Sequence, residues 1–334
     1  MKAALLEGKG LESLSIKEVL APEPGPHDVL LRVTLAAVNP VDYFVIQGTR
    51  AVARLPHVPG AEFTGIIERV GEHVEDFKPG QRVAVYNRLY DGTCNICLRG
   101  MEMLCPSGGI MGVVSWGGFS ELVLLPSKNV LPLPDNVSDE MAASLPVAAL
   151  TPYHALVRAG TAAGETVCVV GASGNTGMFA VQLAKLMGAK VIALSRKAWL
   201  RELGADAVVP PEGATDEVSR LTDGRMADVV VDPLGARTFD ASLQLLGLTG
   251  RFVTFGVLTG ADVRVSLASL YNRHLSLLGV TGGTKKELAE LIAMASEGKL
   301  RVKVWRIYPL EQIRAAVEAL FDGNRNGRVL VKVG

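Results

Sequence analysis

The sequence predicts an α/β chain of two domains, one of them built on a doubly wound parallel sheet. Three observations carry that prediction. Short Val-rich apolar segments alternate with helical periodicity through the middle of the chain, a glycine-rich turn follows the first of them, and the flanking segments have a β-rich or mixed texture. With 334 residues, 49% of them hydrophobic, the chain is long enough to bury two cores.

The alternating part holds six candidate strands, at residues 166–170, 190–195, 207–209, 227–232, 251–255 and 275–279. Helical period falls between most of them, notably at 175–187 and 236–246. Near-continuous apolar strands of this kind are buried on both faces, as in a parallel sheet covered by helices. Upstream, residues 1–6, 13–19, 29–37, 61–70, 82–86 and 119–125 read as strands, with Pro22, Pro24, Gly25 and Pro26 marking a turn. Downstream, helical period at 284–297 and 311–321 is interleaved with strand-like 303–308 and 328–333. This tail does not extend the parallel sheet and is expected to pack back on the N-terminal part.

Lys+Arg and Asp+Glu balance at 34 each, so no chain-wide field favours nucleic acid or an acidic lipid surface. The apolar start ends at Glu7, too short for a signal peptide, and no stretch approaches the roughly 20 apolar residues of a membrane span. A soluble, cytoplasmic protein acting on a small molecule is the expectation.

The run Val167-Cys168-Val169-Val170-Gly171-Ala172-Ser173-Gly174-Asn175-Thr176-Gly177 reads as strand, turn and helix start. Gly171 and Gly174 would let backbone amides approach a pyrophosphate, and Gly177 would let the helix pack close on the strand. Ser173, Asn175 and Thr176 complete the candidate cradle. The spacing is G-x-x-G-x-x-G, a weak signal alone, strengthened by its place in a strand–helix–strand unit. Enzymes that select NAD carry an acid at the end of the next strand; here Ser195, Arg196 and Lys197 stand there. A hydroxyl and two cations suit a ribose 2′-phosphate, so NADP(H) is the expected cofactor.

Four cysteines are present, and Cys94, Cys97 and Cys105 follow Asp91 in a D-x2-C-x2-C-x7-C pattern. In a reducing compartment such clustering points to a metal rather than a disulfide. Three thiolates and one carboxylate suit tetrahedral zinc, and a site closed by four protein ligands is structural. Cys168, in mid-strand, reads as a small buried hydrophobe.

These segments, with Val38-Asn39-Pro40-Val41-Asp42, Pro59-Gly60-Ala61-Glu62, Leu150-Thr151-Pro152-Tyr153 and Gly327-Arg328-Val329-Leu330-Val331, resemble the medium-chain dehydrogenase/reductase superfamily over nearly the whole chain. That superfamily includes zinc alcohol dehydrogenases and zinc-free quinone reductases. The resemblance implies a GroES-like catalytic domain formed by residues 1–147 and 282–334, with a Rossmann dinucleotide-binding domain, 148–281, inserted between. It also implies that Asn39, Ala61 and Val147 stand where zinc-dependent members carry catalytic-zinc ligands, so no catalytic zinc is expected, and Glu62 alone survives from that set. The combination is similar to a group that includes archaeal-type acryloyl-CoA reductases.

Without a metal, hydrogen-bond donors must stabilise the charge that develops as hydride arrives. Asn39 and Tyr43 are the candidates, and Thr151 and Tyr153 resemble positions beside the nicotinamide. Asn39 has an alternative role in capping a turn before Pro40, and Tyr43 in packing. An NADPH-dependent reductase of quinones, enones or reactive ketones is the expected activity. The competing expectations are an alcohol dehydrogenase that recruits zinc through Glu62, and a non-catalytic NADPH-binding sensor. A homodimer or homotetramer is expected, with strand 275–279 available to pair across a two-fold axis.

Overall fold

The computed structural model describes all 334 residues and divides the chain into two compact units, Met1–Val147 with Thr284–Gly334, and Ala148–Gly283. In the second unit, strands Thr166–Val170, Lys190–Leu194, Ala207–Val209, Ala227–Val231, Leu246–Thr254 and Ser276–Gly279 form one six-stranded sheet. Every pairing in it is parallel. The spatial order places Thr166–Val170 at the centre, where strand order reverses: Lys190–Leu194 lies on one side of it and Ala227–Val231 on the other. Thr166–Val170 is buried along its whole length, which its unbroken apolar sequence requires. Cys168 is fully buried there, and desolvation pushes its thiol up to about 12.

In the first unit, Asp28–Ala37 is the central strand of a seven-stranded sheet. It pairs antiparallel with Glu62–Val70, with Leu122–Pro126 and with Arg328–Lys332. Strand Val304–Pro309 lies outside Arg328–Lys332, so the end of the chain does join the N-terminal part. Leu31, Val33, Phe63, Val83, Phe119 and Val329 belong to a single fully buried core here.

Several elements differ from the sequence expectation. The strand expected at 251–255 begins at Leu246, because its first half, Leu246-Gly247-Leu248-Thr249-Gly250, carries two glycines and Thr249 at a φ of 60°. The register shifts beside it, between Ala227 and Val229. A seven-residue helix, Pro40–Ile46, follows the central strand of the first unit; Pro40 occupies its first position, where no amide hydrogen is needed. Helix Leu150–Arg158 opens the second unit. No helix is long and apolar enough to cross a membrane.

Candidate active site and metal centre

Three adjacent strand ends of the first unit bring together residues far apart in the sequence. Ala37 lies opposite Glu62 on one side and Leu330 on the other, and the amide of Val38 donates to the Val329 carbonyl at 3.1 Å. Asn39, just past its strand, therefore meets Glu62 and Arg328, each the first residue of its own strand. All three side chains are buried, Glu62 and Arg328 completely. Asn39 Nδ2 donates to Glu62 Oε2 at 2.8 Å and more weakly to the Ala37 carbonyl at 3.4 Å. Arg328 Nη1 donates to Asn39 Oδ1 at 3.2 Å, and Arg328 Nη2 donates to Glu62 Oε2. The amide of Val147 donates to the other Glu62 oxygen at 2.7 Å.

This arrangement decides what Glu62 can do. Both carboxylate oxygens accept strong hydrogen bonds, one of them charge-assisted, so an ion would have to displace these donors before Glu62 could ligate it. Asn39 gives its side-chain amide to the carboxylate and is also the N-cap of helix Pro40–Ile46, in a capping box shared with Asp42. Asp42 Oδ2 accepts from the Asn39 amide at 2.8 Å, while its Oδ1 accepts from the Ala61 amide at 2.8 Å. Burial raises the Asp42 carboxyl to about 7; the amides of Asn39, Ala61 and Gly60 oppose that rise, and neighbouring Glu62 adds to it. Arg328 Nε is buried without a hydrogen-bond partner. Burial, followed by repulsion from Arg328, lowers nearby Arg325 to about 10.

Arg328 is the residue that sequence reasoning missed. It was legible only as part of a closing strand motif, and its carboxylate partner lies 266 residues away. Tyr43, on helix Pro40–Ile46, sets its ring edge-on to Phe321 at 4.6 Å and packs against the unit's core.

The cysteine lobe converges as its spacing requires. Ligand atoms of Asp91, Cys94, Cys97 and Cys105 all lie within 4.8 Å of one another. Asp91 Oδ1 accepts from the amides of Thr93 at 2.7 Å and Cys94 at 2.8 Å, which hold its carboxyl well below the usual range. Cys94 caps the short helix Asn95–Leu98, and its sulfur accepts from the Cys97 amide at 3.5 Å. The Asp91 amide donates to Cys105 Sγ at 3.3 Å. Three sulfurs and an oxygen this close fit a tetrahedral zinc, whose charge would hold all four donors deprotonated.

In the second unit, Gly171 takes a φ of 62°, and its carbonyl accepts from the Gly174 amide at 2.8 Å. A Cβ at Gly177 would lie 2.3 Å from the Gly171 oxygen, so only glycine lets helix Gly177–Leu186 start this close to the turn. The cradle thus fits a dinucleotide pyrophosphate at the carboxyl end of the central strand, beside the reversal of strand order. Ser173, Asn175 and Thr176 lie on this turn, and Asn175 is buried. Thr151 is buried on helix Leu150–Arg158. At the tip of the next strand, Ser195 Oγ accepts from the Lys197 amide at 3.1 Å, and Arg196 pairs with Glu212 at 2.5 Å.

Residues 25–135 match the alcohol dehydrogenase GroES-like domain, and residues 176–297 match the zinc-binding dehydrogenase family. The chain is 32% identical over 335 residues to an acryloyl-coenzyme A reductase of Metallosphaera sedula, covering 99% of each. It is 33% identical over 342 residues to an alcohol dehydrogenase of Geobacillus stearothermophilus, covering 100% of each. The solved structure of a cobalt- and zinc-bound thermostable alcohol dehydrogenase from Pyrobaculum aerophilum superposes with a TM-score of 0.93 at 39% identity, over 100% of this chain and 99% of that one. On this agreement of fold and sequence, the chain is an oxidoreductase belonging to the medium-chain dehydrogenase/reductase superfamily.

Proposed function

We propose that the chain is an NADPH-dependent reductase of activated carbonyl compounds, namely quinones, enones or reactive ketones, that works without a catalytic metal. The observation that carries this reading is the engagement of Glu62 by Asn39, Arg328 and the Val147 amide. With Asn39, Ala61 and Val147 offering no ligand that zinc favours, the residues around Glu62 have the wrong chemistry for that ion.

When bound, NADPH supplies the hydride. The chain's own part is to hold and to donate. Amides of the Gly171–Gly177 turn would face the pyrophosphate, and Ser195, Arg196 and Lys197 the 2′-phosphate. Asn39 is held by Glu62 and Arg328, and its buried amide would reach a substrate oxygen only by giving up the 3.4 Å hydrogen bond to Ala37. The Tyr43 hydroxyl is the second candidate donor. Modest donors of this kind suffice when hydride adds to a conjugated acceptor, because the charge spreads into an enolate. Acryloyl-coenzyme A, named in one relative, is an acceptor of that type. The zinc of the cysteine lobe would be structural.

Oxidation of NADPH measured across quinones, enones, acyl-CoA thioesters and cyclic ketones, with NADH as control and metal content in parallel, tests the reading. Turnover of conjugated acceptors with one zinc per chain supports it. Equal use of NADH overturns the cofactor assignment. Two zinc ions per chain with oxidation of simple alcohols would establish the alcohol dehydrogenase alternative, which the names of several relatives favour. Tight NADPH binding with no acceptor turned over would point to a sensor.

A further inference from the structure

The carboxyl end of the second unit's sheet sets the tips of two neighbouring strands side by side. Leu194 is paired with Val209, and the Ser195 amide donates to the Val209 carbonyl at 2.8 Å. Residues following Lys190–Leu194 therefore run beside those following Ala207–Val209. Across these tips Arg196 Nη2 donates to Glu212 Oε1 at 2.5 Å. Glu212 precedes Gly213, whose φ of 73° turns the loop into helix Ala214–Leu221. Both charged side chains are 68% exposed, so their ion pair contributes little to holding the fold.

The tip of the second strand thus has an acid beside it after all, delivered by the loop of the third strand. An acid at this place is what NAD-selecting enzymes use to accept from the ribose 2′-hydroxyl. A 2′-phosphate would instead have to share Arg196 with that carboxylate or displace it. We propose that Glu212 is a specificity-determining residue that competes with the cofactor's 2′-phosphate for Arg196 and so limits discrimination between NADPH and NADH. The inference rests on the NADPH reading given above.

The test is binding, read by nicotinamide fluorescence for NADPH and NADH and by competition with 2′,5′-ADP and 5′-AMP. It compares the unmodified protein with Glu212→Gln, Arg196→Gln and the double variant. Glu212→Gln is expected to tighten NADPH and 2′,5′-ADP by about three- to tenfold at low salt, the size expected of one exposed charge near a phosphate. NADH and 5′-AMP should bind unchanged or more weakly. In the Arg196→Gln background the gain should fall below about twofold, because the competition runs through the guanidinium. An NADPH-to-NADH affinity ratio that Glu212→Gln leaves within about twofold of its original value overturns the inference, as does an equal gain in both backgrounds. An unmodified protein that binds 2′,5′-ADP no better than 5′-AMP overturns the NADPH reading itself. That comparison is made within the unmodified protein, whereas Glu212 is tested by the change between it and the variants.

Discussion

Replacing Arg328 by Met would remove the guanidinium that pairs with Glu62 while keeping an unbranched apolar side chain in a fully buried position. Glu62 would retain the Asn39 amide at 2.8 Å and the Val147 amide at 2.7 Å, but it would lose the charge of Arg328 in a site with no exposure. Breaking one side of a buried ion pair costs about 3–5 kcal/mol. For a unit of this size that corresponds to a fall in Tm of about 10 °C. The assay is thermal unfolding followed by near-ultraviolet circular dichroism, with urea unfolding as a second measure. A companion variant, Arg328→Met with Glu62→Gln, removes both charges and leaves an amide that can still accept from Asn39 or Val147. It should recover at least half of the loss, because no charge is stranded. The reasoning is refuted if the single variant shifts Tm by less than about 2 °C, or if the double variant is destabilised by the sum of the two single changes.

Other outcomes follow from the same geometry. Metal analysis of the purified protein should find zinc at one ion per chain, and Cys97→Ser should lose most of it, with faster hydrogen exchange confined to the lobe; full retention would show that Cys97 is not a ligand. The Asp42 carboxyl, raised by burial to about 7, should titrate near there by carbon-13 NMR. Because its folded pKa lies above its unfolded one, the folded state holds a proton that the unfolded chain releases, so stability should fall as pH rises from about 4 to about 7. A midpoint below about 4 would mean that the three amides outweigh desolvation. Leu267 and Tyr271 lie one helical turn apart and are 73% and 67% exposed, next to the edge strand Ser276–Gly279. Light scattering should find the protein at least dimeric and the Leu267→Asp/Tyr271→Asp variant monomeric; a monomeric unmodified protein sinks that expectation.

What could be read from the sequence was set by how local each signal is. The cysteine lobe spans fifteen residues, Asp91 to Cys105, and a loop that short can converge only on itself. The strand–glycine–helix turn is similarly self-contained, since its packing constraint lies between Gly171 and Gly177. The pairing of Arg328 with Glu62 left no such trace, because strand order rather than spacing brings them together. Glu212 was overlooked for a related reason: the acid was sought at the tip of the second strand, and it arrives from the loop after the third. The early start of strand Leu246–Thr254 was hidden because its glycines and left-handed Thr249 break the apolar run that marks a buried strand.

The place of Arg328–Lys332 beside Asp28–Ala37 also sets an order on biosynthesis. Ala148–Gly283 is contiguous and can complete its sheet as soon as it leaves the ribosome. The first unit cannot, because one neighbour of its central strand, the one that pairs with Leu35–Ala37, is made about 290 residues later. For most of translation the Leu35–Ala37 end of that strand carries an open backbone edge, and Glu62 waits for Arg328. A nascent chain stalled before residue 328 would therefore hold a folded nucleotide-binding unit and an unfinished partner. Truncation near the C-terminus should be felt first not at the terminus but around Asn39.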